Sequence, residues 1–333
     1  MSDAVPTLVE PVWLADRLEE PGLRILDCTA HLHFHPETGA RRTDSGRPGW
    51  ERAHVPGSVH VDVPTTLSVT EEPAYPYQAP TAEAFATAME RLGVGDDSRV
   101  VLYDAAGGGW AARVWWLLRA FGFDRAGVLN GGWVGWIEGG RPISTAASGS
   151  EPPTDGPESA VDGSESGADV SGSVTHGSGS GADVSESASG GTPTTFTPDP
   201  RPGLFADRAE VRASIDDPDR LLLNALRPED FAGTGLVKYG RPGRIPASVN
   251  LPAVGENAIV DPESHRYLPV PELHRRFADV GAFDCDRLIT YCGGAIAASK
   301  AALAATLVGI DDVAVYDGSL AEWGESALPM ETD

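Results

Sequence analysis

A single cysteine in this chain stands where a thiol becomes reactive. Cys292 follows the apolar run Leu288-Ile-Thr-Tyr291 and opens onto Gly293, Gly294, Ala295, Ile296 and Ala297, after which apolar residues recur at helical spacing. A continuous apolar run of this length reads as a strand covered on both faces. The turn after such a strand lies at the carboxyl edge of a parallel sheet, where open α/β sheets place their ligands. Small residues let that turn curl, so that successive N–H groups converge on one point and the next helix adds the positive end of its dipole. A thiol at that focus is expected to be a thiolate near neutral pH, reachable by a small solute and able to attack it. The other cysteines lack this setting. Cys28 ends a Leu-rich strand and is expected in the core, while Cys285 lies too far along an extended run to bridge Cys292. Three cysteines make neither a disulfide framework nor the paired spacing of a zinc site. His31, His33 and His35 alternate with Leu32 and Phe34 without a further clustered ligand, so no metal is expected.

The frame that positions Cys292 occurs twice. Four landmarks recur in order: Leu23-Arg-Ile-Leu-Asp27 with Arg220-Leu-Leu-Leu-Asn224, His54-Val-Pro-Gly-Ser58 with Arg244-Ile-Pro-Ala-Ser248, Val100-Val-Leu-Tyr-Asp104 with Leu288-Ile-Thr-Tyr-Cys292, and Val128-Leu-Asn-Gly131 with Val315-Tyr-Asp-Gly318. Their offsets of 197, 190, 188 and 187 residues drift only as far as loop insertions allow, which points to tandem duplication. In each copy a central strand is followed by a helical stretch (111–121 and 297–308) and a further short strand, and preceded by a helix (81–92 and 271–280). Strand, helix and strand in each half predict an α/β fold: two domains, each a mainly parallel sheet with helices on both faces. Trp136 and Trp323, at matching places, are expected to close the two cores, and Trp115 and Trp116 to lie in the core or at the domain interface. The first copy has Asp104 where the second has its cysteine, so it is expected to be inert, with Arg113 as the partner that neutralises Asp104.

Between the copies, residues 144–198 turn to Ser, Gly, Pro, Thr and acids, with the small repeat Ser166-Gly-Ala-Asp-Val-Ser171 and Ser180-Gly-Ala-Asp-Val-Ser185. This composition predicts a disordered acidic linker between a domain at 7–143 and a catalytic one at 199–329. The chain carries 49 acidic against 25 basic residues, a net charge of −24, and its only lysines are Lys238 and Lys300. Such a polyanion without a basic run excludes unaided nucleic-acid binding. The bias resembles proteins of organisms that hold molar salt, where screening relieves self-repulsion. No apolar stretch is long enough to span a membrane and no leader pattern opens the chain, so a cytoplasmic monomer is expected.

With this frame in place, His54-Val-Pro-Gly57, Arg113-Val-Trp-Trp-Leu-Leu-Arg119, Val128-Leu-Asn-Gly-Gly-Trp133 and the strand, Cys292 loop and helix resemble the two-domain rhodanese family of thiosulfate and 3-mercaptopyruvate sulfurtransferases. The resemblance implies a degenerate first domain, a catalytic second one and an active site between them. It also implies the mechanism: Cys292 takes the outer sulfur of a small donor as a persulfide and passes it to cyanide or a thiol, with no metal or organic cofactor because the covalent intermediate carries the transferred atom. The loop departs from both patterns of the family. It lacks the basic residues of thiosulfate enzymes and the hydroxyl that mercaptopyruvate enzymes carry at the position of Gly294. Thiosulfate is the expected donor and 3-mercaptopyruvate the alternative. An anionic donor needs cations, and the family places its substrate-binding arginines before Ile245-Pro246. Arg227, Lys238, Arg241 and Arg244 are the candidates there, Lys238 and Arg244 foremost, although Asp230 sits where one family arginine belongs. His54 is a candidate proton relay, beside a carboxylate such as Asp44, with the competing role of fixing its loop by hydrogen bonding.

Three other readings compete. Gly107, Gly109 and Ala112 match a loose dinucleotide-binding fingerprint, but the duplication is then unexplained and Asp104 opposes a pyrophosphate. A cysteine phosphatase needs an arginine six residues past its nucleophile, where this chain has Ala298. A sulfur carrier or regulatory module without turnover is the non-enzymatic alternative.

Overall fold

Among residues 4–145, 194–255 and 257–333, which this computed structural model describes, the most continuously apolar segments form the sheet centres. The first-half strands are β1 (Leu8–Val9), β2 (Leu23–Asp27), β3 (Ala30–Phe34), β4 (Arg41–Ser45), β5 (Ser58–His60), β6 (Arg99–Tyr103) and β7 (Ala126–Leu129). In the second half come β8 (Phe205–Ala206), β9 (Arg220–Asn224), β10 (Val249–Asn250), β11 (Arg287–Tyr291) and β12 (Val313–Tyr316). Two five-stranded parallel sheets result, in the orders β1-β7-β6-β2-β5 and β8-β12-β11-β9-β10, which are the same order in the two copies. In the first, Val101 of β6 pairs with Ile25 of β2; in the second, Ile289 of β11 pairs with Leu222 of β9. The duplicated α/β architecture expected from the landmarks is therefore the observed one.

Each central strand feeds a twelve-residue helix, Gly109–Ala120 or Ile296–Leu307, and these two helices pack against each other between the sheets. Their composition explains the pairing. Ala297, Ala298, Ala301, Ala302, Ala304 and Ala305 are all buried, so the second helix presents little bulk and the first fills the space with Trp115, Trp116, Leu117 and Leu118. One apolar core consequently runs through both domains. Burying each of these large side chains is worth about 1.5–3 kcal/mol. Trp116 marks the interface, its Nε1 donating to the Leu204 carbonyl (3.0 Å). Trp136 and Trp323 are fully buried and cap their cores identically, donating to the carbonyls of Pro142 and Pro329.

The domain ends differ from the sequence boundaries. Most of the segment expected to be a linker falls outside the described residues, but residues 194–198 are packed on the first domain. Phe196 is buried against Phe85 and Phe123, and Thr197 bonds Asp96 through both its N–H and its hydroxyl. One aromatic side chain anchors a stretch whose composition alone reads as solvated. The second domain likewise continues past residue 329, where Glu331 exchanges two backbone hydrogen bonds with Arg244 (2.9 Å each), as Ser144 does with His54 in the first.

Candidate active site

Cys292 begins the turn between β11 and the Ile296–Leu307 helix. Ala295, a non-glycine residue at φ +63, makes the left-handed kink that starts the helix. A neighbouring turn holds the loop. The Ser319 hydroxyl accepts from the N–H groups of Cys292 (3.2 Å) and Ala295 (3.3 Å) and donates to the Tyr316 carbonyl (2.8 Å). The carbonyls of Cys292 and Gly293 accept from Leu320 and Ala321. The N–H groups of Gly293, Gly294 and Ile296 donate to no protein acceptor among the described residues.

What such a loop receives is visible in the first copy. There the Asp104 carboxylate accepts from the N–H groups of Ala106 (2.8 Å), Gly108 (2.8 Å) and Ala111 (2.9 Å). The duplicated turn is an anion cradle, filled by its own aspartate in one copy and headed by a thiol in the other. Arg113 does not neutralise Asp104, contrary to expectation. It is turned across the interface to Asp317 (2.6 Å), two residues before Ser319, and also donates to the Tyr77 carbonyl. Asp317 accepts in addition from the first domain's Tyr75 hydroxyl and Ala79 N–H. The cation facing Asp104 is instead Lys300, on the second domain's helix; burial lowers its pKa to about 8 against the opposing pull of Asp104.

The thiol is not open as expected: Cys292 is 2% exposed. Two tyrosines lie against the loop that follows it. A Cβ at Gly293 would fall on the Tyr239 ring, which is why only glycine fits there, and one at Gly294 would meet the Tyr77 ring at 3.4 Å. Both tyrosines are themselves partly exposed, and they come from different domains. Burial, followed by the proximity of Cys292 and Asp230, pushes the Tyr239 hydroxyl well up, so it stays protonated. Tyr77 hydrogen-bonds Thr43 on β4, and Phe34 on β3 meets Tyr239 edge-on. The β3–β4 hairpin of the first domain thus reaches toward the Cys292 loop of the second.

The expected cations are mostly committed elsewhere. Lys238 is held by both oxygens of Asp230 (2.8 and 3.0 Å), so the residue standing in the place of a family arginine neutralises it. Arg241 donates to the carbonyls of Gly324, Trp323 and Leu328, and Arg244 pairs with Asp333 (2.7 Å) while stacking on Phe231. Both tie down the C-terminal segment. Arg227 remains exposed, with Glu229 at a loose 3.9 Å. His54 takes the loop-fixing role: it is buried, stacked on Trp50, and donates through Nδ1 to the Trp50 carbonyl (2.7 Å). Asp44 is not its partner but that of Arg42 and His33. Cys28 is fully buried, with its thiol pushed well up by burial and by Asp27 and Asp104, and so is held protonated.

A duplicated parallel α/β fold, with a cysteine-headed anion cradle in one copy at the domain junction, defines the class. The rhodanese-like domain model matches residues 10–138 and 207–326, and the chain belongs to that family. It is 28% identical to human 3-mercaptopyruvate sulfurtransferase, over 97% of this chain and 94% of the relative. It is 30% identical to the Cricetulus griseus thiosulfate sulfurtransferase, over 97% and 93%. Sulfur transfer is the reaction class of the chain. Among solved structures, SseA from Escherichia coli, a rhodanese-fold 3-mercaptopyruvate enzyme, shares the fold with a TM-score of 0.69 at 22% identity, over 95% of this chain and 99% of that one. The anaerobic ergothioneine biosynthesis enzyme from Chlorobium limicola does so at 0.70 and 22%, over 98% and 70%.

Proposed function

We propose that this sulfurtransferase works through a persulfide on Cys292, with thiosulfate as its first donor. The observation that carries the reading is the duplicated turn: in one copy the Asp104 carboxylate accepts from the N–H groups of Ala106, Gly108 and Ala111, and in the other the matching N–H groups of Gly294 and Ile296, beside Cys292, have no acceptor among the described residues, which supports a site for a negatively charged sulfur. In the first half-reaction the thiolate attacks the outer sulfur of thiosulfate, the S–S bond breaks, and sulfite leaves with the bonding pair. One thiolate and one thiosulfate dianion become one persulfide anion and one sulfite dianion, and no proton moves. The persulfide then gives its terminal sulfur to cyanide or a thiol. Freedom from proton transfer favours this donor, because Gly294 offers no hydroxyl, the Ser319 hydroxyl donates to a carbonyl, and His54 is occupied with Trp50.

A specific feature favours the second donor, 3-mercaptopyruvate. Its carbanion-like leaving group needs a proton, and the Tyr239 hydroxyl, held protonated, lies against the loop. Parallel steady-state assays in molar salt separate the two. Sulfite release from thiosulfate exceeding pyruvate release from 3-mercaptopyruvate, with both abolished in Cys292→Ser, is the expected result. Turnover surviving in Cys292→Ser removes the persulfide, and a stable persulfide without turnover of either donor makes the protein a carrier. Arg227 stays in the proposed donor set, along with the loop residues 293–297.

A further inference from the structure

The donors above are anions, the chain carries a net charge of −24, and the cations expected to receive them are largely neutralised by Asp230, Glu331, Asp333 and backbone carbonyls. Arg41 begins β4, on the far limb of the hairpin that crosses to the second domain, and its guanidinium lies 5.2 Å from the centroid of the Tyr77 ring. Tyr77 is the first-domain half of the cover over the Cys292 loop. Among the described residues no carboxylate pairs with Arg41, whereas its neighbour Arg42 is bound to Asp44 (2.8 Å). Arg41 is exposed, so its charge faces solvent at the rim. Its field reaches the second half of the cover as well: it opposes the rise of the Tyr239 hydroxyl pKa, as it does for Tyr77.

We infer that Arg41 is a specificity-determining residue of the first domain, supplying the positive charge that draws an anionic sulfur donor to Cys292 past the Tyr77–Tyr239 cover. The inference rests on Cys292 being the nucleophile. It assigns the first copy a part in the reaction: its hairpin carries a cation across the interface toward a loop beside which Lys238 is neutralised by Asp230. A stacked, unpaired guanidinium suits this role, since it can leave the ring face for an oxyanion without breaking an ion pair. An exposed charge at a rim acts chiefly on encounter and selectivity, and salt screens it.

Paired alkylation of the full-length protein tests this. Iodoacetate is an anion and iodoacetamide a neutral molecule of nearly the same size, so the ratio of their rates at Cys292 reads charge while the iodoacetamide rate alone reads the cover. Arg41→Met is expected to lower the iodoacetate to iodoacetamide ratio about three- to tenfold at low salt and leave the iodoacetamide rate within about twofold. Arg41→Lys should keep most of the ratio and Arg42→Met all of it, and molar salt should erase the difference. In steady state Arg41→Met should raise the KM for thiosulfate several-fold at nearly constant kcat. An unchanged ratio, or both rates moving together, overturns the assignment of Arg41. Failure of Cys292 itself shows differently: if neither reagent labels it and Cys292→Ser still turns over, the nucleophile is wrong and the role of Arg41 goes with it.

Discussion

Two N–H groups of the Cys292 loop depend on one hydroxyl, so Ser319 is the residue whose loss should be felt most directly at the sulfur. Leaving buried donors unsatisfied costs about 1–3 kcal/mol, and the loop would no longer be held between Cys292 and Ala295. Ser319→Ala is expected to cut kcat for sulfite release at least about tenfold. Ser319 also sits at φ +48. Ser319→Gly relieves that conformation but still removes the hydroxyl, so it should lose as much activity as alanine; recovery in the glycine variant would show that backbone strain mattered and the hydroxyl did not. Cys292 was legible in the sequence because a strand, a small-residue turn and a helix are all local. Ser319 was not, since it is joined to Cys292 only by the adjacency of β11 and β12. Tyr239 lies within the stretch that carries the candidate cations, but its contact with Gly293 is a matter of packing.

At the scale of elements, the two central helices exchange cations across the interface. Arg113 on the first reaches Asp317 beside the Cys292 turn, and Lys300 on the second lies within the field of Asp104 in the matching turn. Segments from opposite domains complete each arrangement: Ala79 N–H donates to Asp317, and Tyr267 N–H donates to Asn130 at the matching place. The Arg113–Asp317 pair is buried, its partners 1% and 7% exposed. Removing one charge should therefore cost about 3–5 kcal/mol, while replacing both costs much less. Arg113→Met is expected to lower the denaturation midpoint and the rate of sulfur transfer together, and Arg113→Met with Asp317→Leu to restore the midpoint but not the rate. Additive losses of stability in the double variant would show that the two side chains act independently. Sequence order suggested Asp104 as the partner of Arg113, because both belong to one strand–helix unit. The fold sends Arg113 outward because backbone amides already satisfy that carboxylate.

For the whole molecule the buried Lys300 sets a pH signature. Its folded pKa, about 8, lies below the unfolded value of 10.5, so between these values the unfolded chain keeps a proton that the folded one has released. The Lys300 contribution to stability therefore rises with pH across that window, by roughly 2 kcal/mol between pH 8 and 10. Cys28, Cys285 and buried tyrosines, Tyr75, Tyr103, Tyr267 and Tyr316 among them, have pKa values raised by burial and ionise first in the unfolded chain, so they lower stability over the upper part of the same window. Denaturant titrations at pH 8, 9 and 10 should show the wild type gaining on Lys300→Met by roughly 2 kcal/mol across the window; a constant difference between the two would assign the pH dependence to other groups. The apolar periods, the repeated landmarks and the small-residue turn were enough by themselves to determine the duplicated α/β fold and the family, because each landmark is a short local run and the second copy repeats the order of the first. Which cations remain unpaired, what lies against the Cys292 loop and where the two copies touch were decided only in three dimensions. Those outcomes depend on contacts between residues up to about 250 positions apart, where competing carboxylates and carbonyls choose each partner by distance and burial.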